Sequence, residues 1–490
     1  MATTGSRQST NPMIKEKEYY LSLFGVDEAL LAMLVREALS RGGHYSDLFF
    51  ENTAYGNLVL RDGAVTSGGS HVDYGVGIRT LDGEKTGYAY SESTSKADMI
   101  ACARAASAIA CGVSAVVENA TRAASRGIPN AAADRYPVKE EWRSKSMDSF
   151  LPFLREVDAE IRRRDARVEK LTAVLSFQET DVLMYNSLGE LKWETRPMGN
   201  VNVSVVFRQG NRVENNSVSR SWRCGVEMLG PNLIKEIADA AVKGLDARFQ
   251  AGRPKGGRMS VVMAAGASGI LLHEAMGHAF EADFNRKGIS IFADKMGQKI
   301  CSEDITIVDD GTIPGNRGAL NYDDEGVPGQ RTVMVDRGVL SSYLHDRISA
   351  AHYGVAPTGN GRRESFRYAP IPRMRATYME SGSANPADII ADVKQGIYVD
   401  EFANGQVKIG EGDFTFYVKA GFLIENGRLT MPVKDINIIG NGPEALRDIV
   451  AVGSDLEIDP LTWVCGKEQS VPVSCGIPTV LVKSLTVGGE

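Results

Sequence analysis

The sequence predicts an α+β protein of two domains, an N-terminal α/β-sheet domain followed by a C-terminal, mostly β domain built around one principal helix. Three observations lead there. The chain has 490 residues, beyond the size at which a single hydrophobic core stops growing. Its first half alternates helical periodicity with apolar runs punctuated by Asp-Gly turns. Its second half gathers many short strand-like runs, with glycine turns, behind one long helical stretch.

In chain order, residues 1–15 are polar and rich in Ser and Thr, lack the apolar run of a secretory signal, and read as a disordered tail. The N-terminal domain, 16–250, opens with an amphipathic helix. Asp27 is its N-cap, Leu30, Leu31, Leu34, Val35, Ala38 and Leu39 recur at helical spacing, and Gly42-Gly43 stops it. Short strands are predicted at 47–51, 57–61, 73–79 and 85–90, with Asp62-Gly63 and Asp82-Gly83 as hairpin turns. Helices are predicted at 95–110, 147–163 and 232–247, with strand-like runs at 171–177 and 201–207 between them. The helix breakers and charges of 250–258 suit a linker, so the C-terminal domain is taken as 251–490, with its long helix over about 267–284.

Composition narrows the function. With 43% hydrophobic and 24% charged residues the chain matches ordinary globular proteins. A net charge of -7 repels a phosphate backbone, so direct nucleic-acid binding is not expected. The longest weakly polar run, 261–272, is too short to span a bilayer, and no membrane association is expected. Six cysteines in so long a chain do not make a secreted disulfide scaffold; a reducing, cytoplasmic setting is the expectation.

His273, Glu274 and His278 lie within six residues after the apolar Ile270-Leu271-Leu272. With six histidines in the chain, chance supplies such a His-Glu-x-x-x-His match on the order of 0.005 times. The commoner zinc-peptidase motif spaces its histidines four apart, on one helix face. Five residues on a regular helix diverge by roughly 140°, so a shared ion demands a π-type bulge or a break near Gly277. A catalytic zinc takes a third protein ligand and keeps its fourth position for water. Glu281, Asp283, His345, His352 or a cysteine are the candidates, and Glu274 is the candidate general base. The competing reading is that both histidines are unrelated residues of a helix.

From His273 through Glu281, Asp283, Phe284, Asn285, Arg286 and Lys287 the sequence resembles the TldD branch of the TldD/PmbA family. The resemblance continues through Asp323-Asp324-Glu325-Gly326-Val327-Pro328-Gly329-Gln330 and 357–365, and ends with Cys465-Gly466-Lys467-Glu468-Gln469-Ser470-Val471-Pro472-Val473 and 485–489. It implies a zinc (Zn2+) metalloprotease, also labelled a modulator of DNA gyrase. Carried over by motif, His273 and His278 of the principal helix and Cys465 near the C-terminus hold the metal, and Glu274 is the base. The resemblance further implies unfolded peptide substrates and a dimer, either of two copies or with a PmbA/TldE-type paralogue that lacks the motif. The alternative function is a non-catalytic modulator whose zinc is structural or absent.

Around this motif, Glu281 suits a carboxylate that orients an imidazole, or a solvated helix acid. Asp323, Asp324 and Glu325, followed by Gly326 and Gly329, read as a turn in preference to a hard-cation site. Arg362 and Arg363, in a glycine-flanked loop, suit a grip on a peptide carboxylate, or ion pairs with local acids.

Overall fold

The computed structural model describes residues 15–110, 134–408 and 411–488. Most of the expected N-terminal tail and Cys111 therefore lie outside the described residues. Lys15 is described, and its ammonium pairs with Glu141 at 2.9 Å and Asp181 at 3.2 Å.

The first half is a six-stranded antiparallel sheet covered by helices. Its strands are β1 (Tyr45–Arg61), β2 (Ala64–Asp82), β3 (Lys85–Ser91), β4 (Val168–Asn186), β5 (Leu191–Gln209) and β6 (Arg212–Trp222), ordered β3-β2-β1-β4-β5-β6. The strands predicted at 47–51 and 57–61 are one strand. Residues 52–56 look like a break, but they pair with 177–181 of β4, and Gly56 lies where a Cβ would sit 2.2 Å from the Phe177 ring. Asp62 and Gly63 turn β1 into β2 with φ of 47° and 79°, the left-handed pair that a two-residue hairpin requires.

Leu48 and Phe50 of β1 share a face with Leu58 and Leu60, as the two-residue period dictates. The first pair packs beneath α1 (Lys17–Phe24), α2 (Glu28–Ala38) and α3 (Lys96–Ala110). The second packs beneath α4 (Leu151–Arg164) and α5 (Pro231–Val242). Asp27 caps α2 as expected, accepting from the Leu30 N–H at 2.7 Å. Gly244, at φ +66°, ends the predicted 232–247 helix early, and a separate turn of helix follows at Leu245–Gln250.

In the second half five strands close a barrel. β7 (Gly257–Met263) pairs in parallel with Gln395–Val407, which pairs in turn with Asp413–Glu425, Ile436–Asn441 and Val480–Gly488, and the last returns to β7. A second sheet of short strands includes Ile307–Asp310, Ala376–Met379 and Ser474–Ile477. One large apolar core links both.

The uncovered face of the N-terminal sheet docks on this half. Phe49, Val182 and Met184 bury Tyr322 and Phe366. Gly75 admits that contact, because a Cβ there would lie 2.3 Å from the Phe366 ring. Charged groups complete the seam. Arg79 lies between Asp47 and Glu325, and Arg196 pairs with Glu194 and Asp324. Asp323 accepts the N–H groups of Glu325 and Val327, each at 2.9 Å. The three successive acids therefore form a turn and interdomain ion pairs, in accord with the turn reading.

Candidate metal centre

The predicted long helix at 267–284 is instead a run of short turns. A 3-10 turn (Ala267–Gly269) leads through Ile270–Leu272 into a π-turn at His273–Gly277, then a second 3-10 turn at His278–Phe280. Glu281, with ψ of 124°, breaks the helix before a last turn at Ala282–Arg286. Burial of Leu271, Leu272, Met276 and Phe280 holds this rod in the core. Gly269 and Gly277 are points of close approach. A Cβ would lie 2.5 Å from the Gly476 nitrogen at the first and 2.1 Å from Met374 Sδ at the second. The π-turn supplies what the five-residue spacing demanded: its i→i+5 repeat brings His278 back beside His273, with ring centroids 5.3 Å apart.

Cys465 arrives from a tight hairpin, Val464–Lys467 with Gln469–Pro472, whose tip residue Glu468 takes φ of +58°. Its Sγ lies 3.4 Å from His278 Nε2. One donor atom from each of His273, His278 and Cys465 lies within 4.8 Å of the others, and all three side chains are buried. His273 Nδ1 is buried without a hydrogen-bond partner among the described residues. Two imidazoles and a sulfur converging on one point suit a borderline-soft divalent ion with a coordination position to spare.

Charge around the cluster favours the thiolate of Cys465, the form in which sulfur binds a metal, and a proton on His278 that a bound cation would displace. Burial pushes the Cys465 thiol up, but His273 and His278 outweigh it and hold the thiol well below its ordinary value. Burial likewise opposes a charge on His278, yet Glu281 and Cys465 raise it to about 10. Glu281 is fully buried and faces His278 Nδ1 at 3.0 Å. Burial would raise its carboxyl, but Lys467 and His278 lower it to about 2. Lys467 Nζ reaches Glu281 at 3.0 Å and Asp283 at 2.7 Å, and an Arg373 Nη donates to the Cys465 carbonyl. Glu274 is partly exposed and makes no hydrogen bond or ion pair with a described residue.

The other third-ligand candidates go elsewhere. His345 sits against Tyr343 and Tyr353, His352 meets Glu84, and Asp283 holds Lys467. Arg362 donates to the carbonyls of Met374 and Pro472, and Arg363 to that of Asp324 at 3.0 Å. Sequence reasoning missed Lys467 and Arg373. Lys467 was within reach, because in a strand it points to the same side as Cys465 two residues earlier; Arg373 carried no signal.

Comparison with known proteins sets this geometry in context. Sequence models of the PmbA/TldA metallopeptidase family match three stretches: domain 1 at residues 46–110, the central domain at 140–248 and the C-terminal domain at 256–489. A Metalloprotease TldD homolog of Haemophilus influenzae is 40% identical over 452 residues, 91% of this chain and 93% of that protein. A Zinc metalloprotease TldD homolog of Saccharolobus solfataricus is 33% identical over 298 residues, 59% of this chain and 64% of that protein. Among solved structures, TldE from Thermococcus kodakarensis shares the fold with a TM-score of 0.71 at 20% identity, over 94% of this chain and 100% of that one.

Proposed function

We propose that this chain, which belongs to the PmbA/TldA metallopeptidase family, hydrolyses extended peptides with a zinc ion held by His273, His278 and Cys465 and with Glu274 as general base. The observation that carries this reading is the convergence of three buried donors from two distant segments, with an unpartnered carboxylate beside the first. The zinc metalloprotease name of one relative supports the choice of metal.

When bound, zinc acidifies water and polarises the scissile carbonyl. The residues of the chain do the rest. Glu274 takes one proton from the attacking water as its oxygen bonds to the carbonyl carbon, then delivers it to the amine nitrogen when the C–N bond breaks. Glu281 accepts from the Nδ1–H of His278, which leaves Nε2, on the side of Cys465, as the nitrogen that would bind the ion. Lys467 keeps Glu281 ionised, and Arg373 anchors the backbone of Cys465.

Division of the chain near residue 250 is supported by hydrophobic clusters whose members lie wholly on one side of it or the other. We take the working form to be a dimer, of two copies or with a TldE-type paralogue, in the cytoplasm. No helix among the described residues is long and apolar enough to cross a membrane.

The test is metal analysis and hydrolysis of an unstructured peptide by the purified protein and two variants. Glu274→Gln should retain metal while kcat falls by about 10²–10⁴-fold; full hydrolysis by that variant would remove Glu274 as the base. Undiminished metal in Cys465→Ala would remove the thiolate. Bound zinc with no hydrolysis by the unaltered protein would favour the structural-zinc alternative.

A further inference from the structure

The hairpin that carries Cys465 has two sides. Cys465 and Lys467 face the metal cluster and are buried, whereas Val464 and Ser470 face a cavity of about 280 Å³ between the hairpin and the docked face of the N-terminal sheet. Five arginines line it. Arg196 and Arg363 are matched by acids of the seam. Arg223, Arg317 and Arg362 are not: each is buried, and none forms an ion pair with a described residue.

Their hydrogen bonds leave nitrogens over. Arg223 donates from Nε to the Arg317 carbonyl at 3.2 Å and lies over the Tyr136 ring at 5.6 Å, and both of its terminal nitrogens lack hydrogen-bond partners among the described residues. Arg317 uses Nε on the Trp463 carbonyl and Nη1 on Asn200 and Ser221, and its Nη2 lacks one. Of the three acids on the wall, Asp324 is held by Arg196, Glu364 accepts from the Ser470 N–H and Glu51 from the Phe366 N–H. Burial, the largest influence on each, pushes Arg223 down to about 10 and Arg317 to about 9; the nearby Arg223 charge adds to the second. Guanidinium stays charged at neutral pH, so this corner carries a buried positive excess, which is costly until an anion enters.

We infer that this cavity is a carboxylate subsite, in which Arg223 and Arg317 hold an acidic side chain or the free C-terminus of the peptide being cleaved. The forked guanidinium geometry suits bidentate carboxylate recognition, and the shared hairpin sets the subsite beside the proposed metal centre. The inference rests on the peptidase reading above.

Three labelled peptides of one unstructured sequence test it by fluorescence anisotropy on full-length, metal-loaded Glu274→Gln protein: a neutral peptide with an amidated end, the same peptide with one Gln replaced by Glu, and the neutral peptide with a free C-terminus. At least one charged peptide should bind about tenfold more tightly than the neutral one. Preference for the Glu peptide alone assigns the subsite to acidic side chains, and preference for the free end alone assigns it to the terminus. Equal binding of all three overturns the inference without any arginine variant. Arg223→Gln/Arg317→Gln protein that keeps its metal, and hence its hairpin, should lose the preference; a preference that survives there overturns it too. Hydrolysis of the neutral peptide by the unaltered protein is scored separately, so failure of the peptidase reading remains distinguishable.

Discussion

The molecule buries two polar clusters, and they are finished differently. In the interdomain seam, Asp47, Glu194, Asp324 and Glu325 face Arg79, Arg196 and Arg363, so charge is answered by charge within the protein. Around Cys465, the outer groups Glu281, Lys467 and Asp283 are equally well matched. They enclose two imidazoles and a sulfur whose donor atoms converge, while Glu274, next to His273 in the sequence, binds nothing described. A buried polar group costs free energy unless it is partnered. The closed network thus joins two halves, whereas the inner set is the one proposed above to take its partner, a metal ion, from outside.

The largest expected effect separates the clusters outright. His273→Ala should abolish stoichiometric metal binding and hydrolysis, since structural zinc sites are worth about 10–16 kcal/mol of apparent binding free energy and one of three ligands is lost. The fold should survive, as circular dichroism would report. Asp324→Ala should do the reverse. It leaves Arg196 with Glu194 alone and takes the acceptor from the Arg363 N–H, and should cost about 3 kcal/mol of stability in denaturant unfolding, while the folded fraction keeps its metal. Loss of metal in that variant, or of stability in the first alone, would break the contrast.

Smaller changes sharpen it. Glu281→Gln keeps the shape of the side chain but removes the charge that orients His278; metal affinity should weaken by about 10–100-fold in competition with a chelator. Gly277→Ala forces a methyl against Met374 Sδ. A destabilisation of about 1–3 kcal/mol is expected, with a lesser loss of metal affinity as the π-turn shifts.

How far all this could be read in advance depended on how local each signal was. The fold class, the α2 cap at Asp27 and the hairpin at Asp62-Gly63 are consequences of neighbouring residues, and all appear in the structure. So does the π-turn, because the angle between positions five apart is simple helical geometry. The long β1 was hidden because Gly56 reads as a breaker; its role is to make room for Phe177, which arrives from another strand. The helix break at Glu281 was hidden for a similar reason: the side chain turns inward to His278 and Lys467, and nothing nearby in sequence indicates Lys467. Cys465 entered the sequence reading only through family resemblance, since no periodicity connects it to His278.

The distance along the chain between these donors also sets an order in time. Cys465 follows His278 by 187 residues, and the strand that closes the barrel onto β7, Val480–Gly488, is later still. During synthesis, therefore, the histidines emerge long before the thiol exists. With the proposed ligands and substrates, the growing chain would therefore stay inert toward its own unfolded first half, and would acquire its cutting edge only after Cys465 had emerged and the hairpin that carries it had folded.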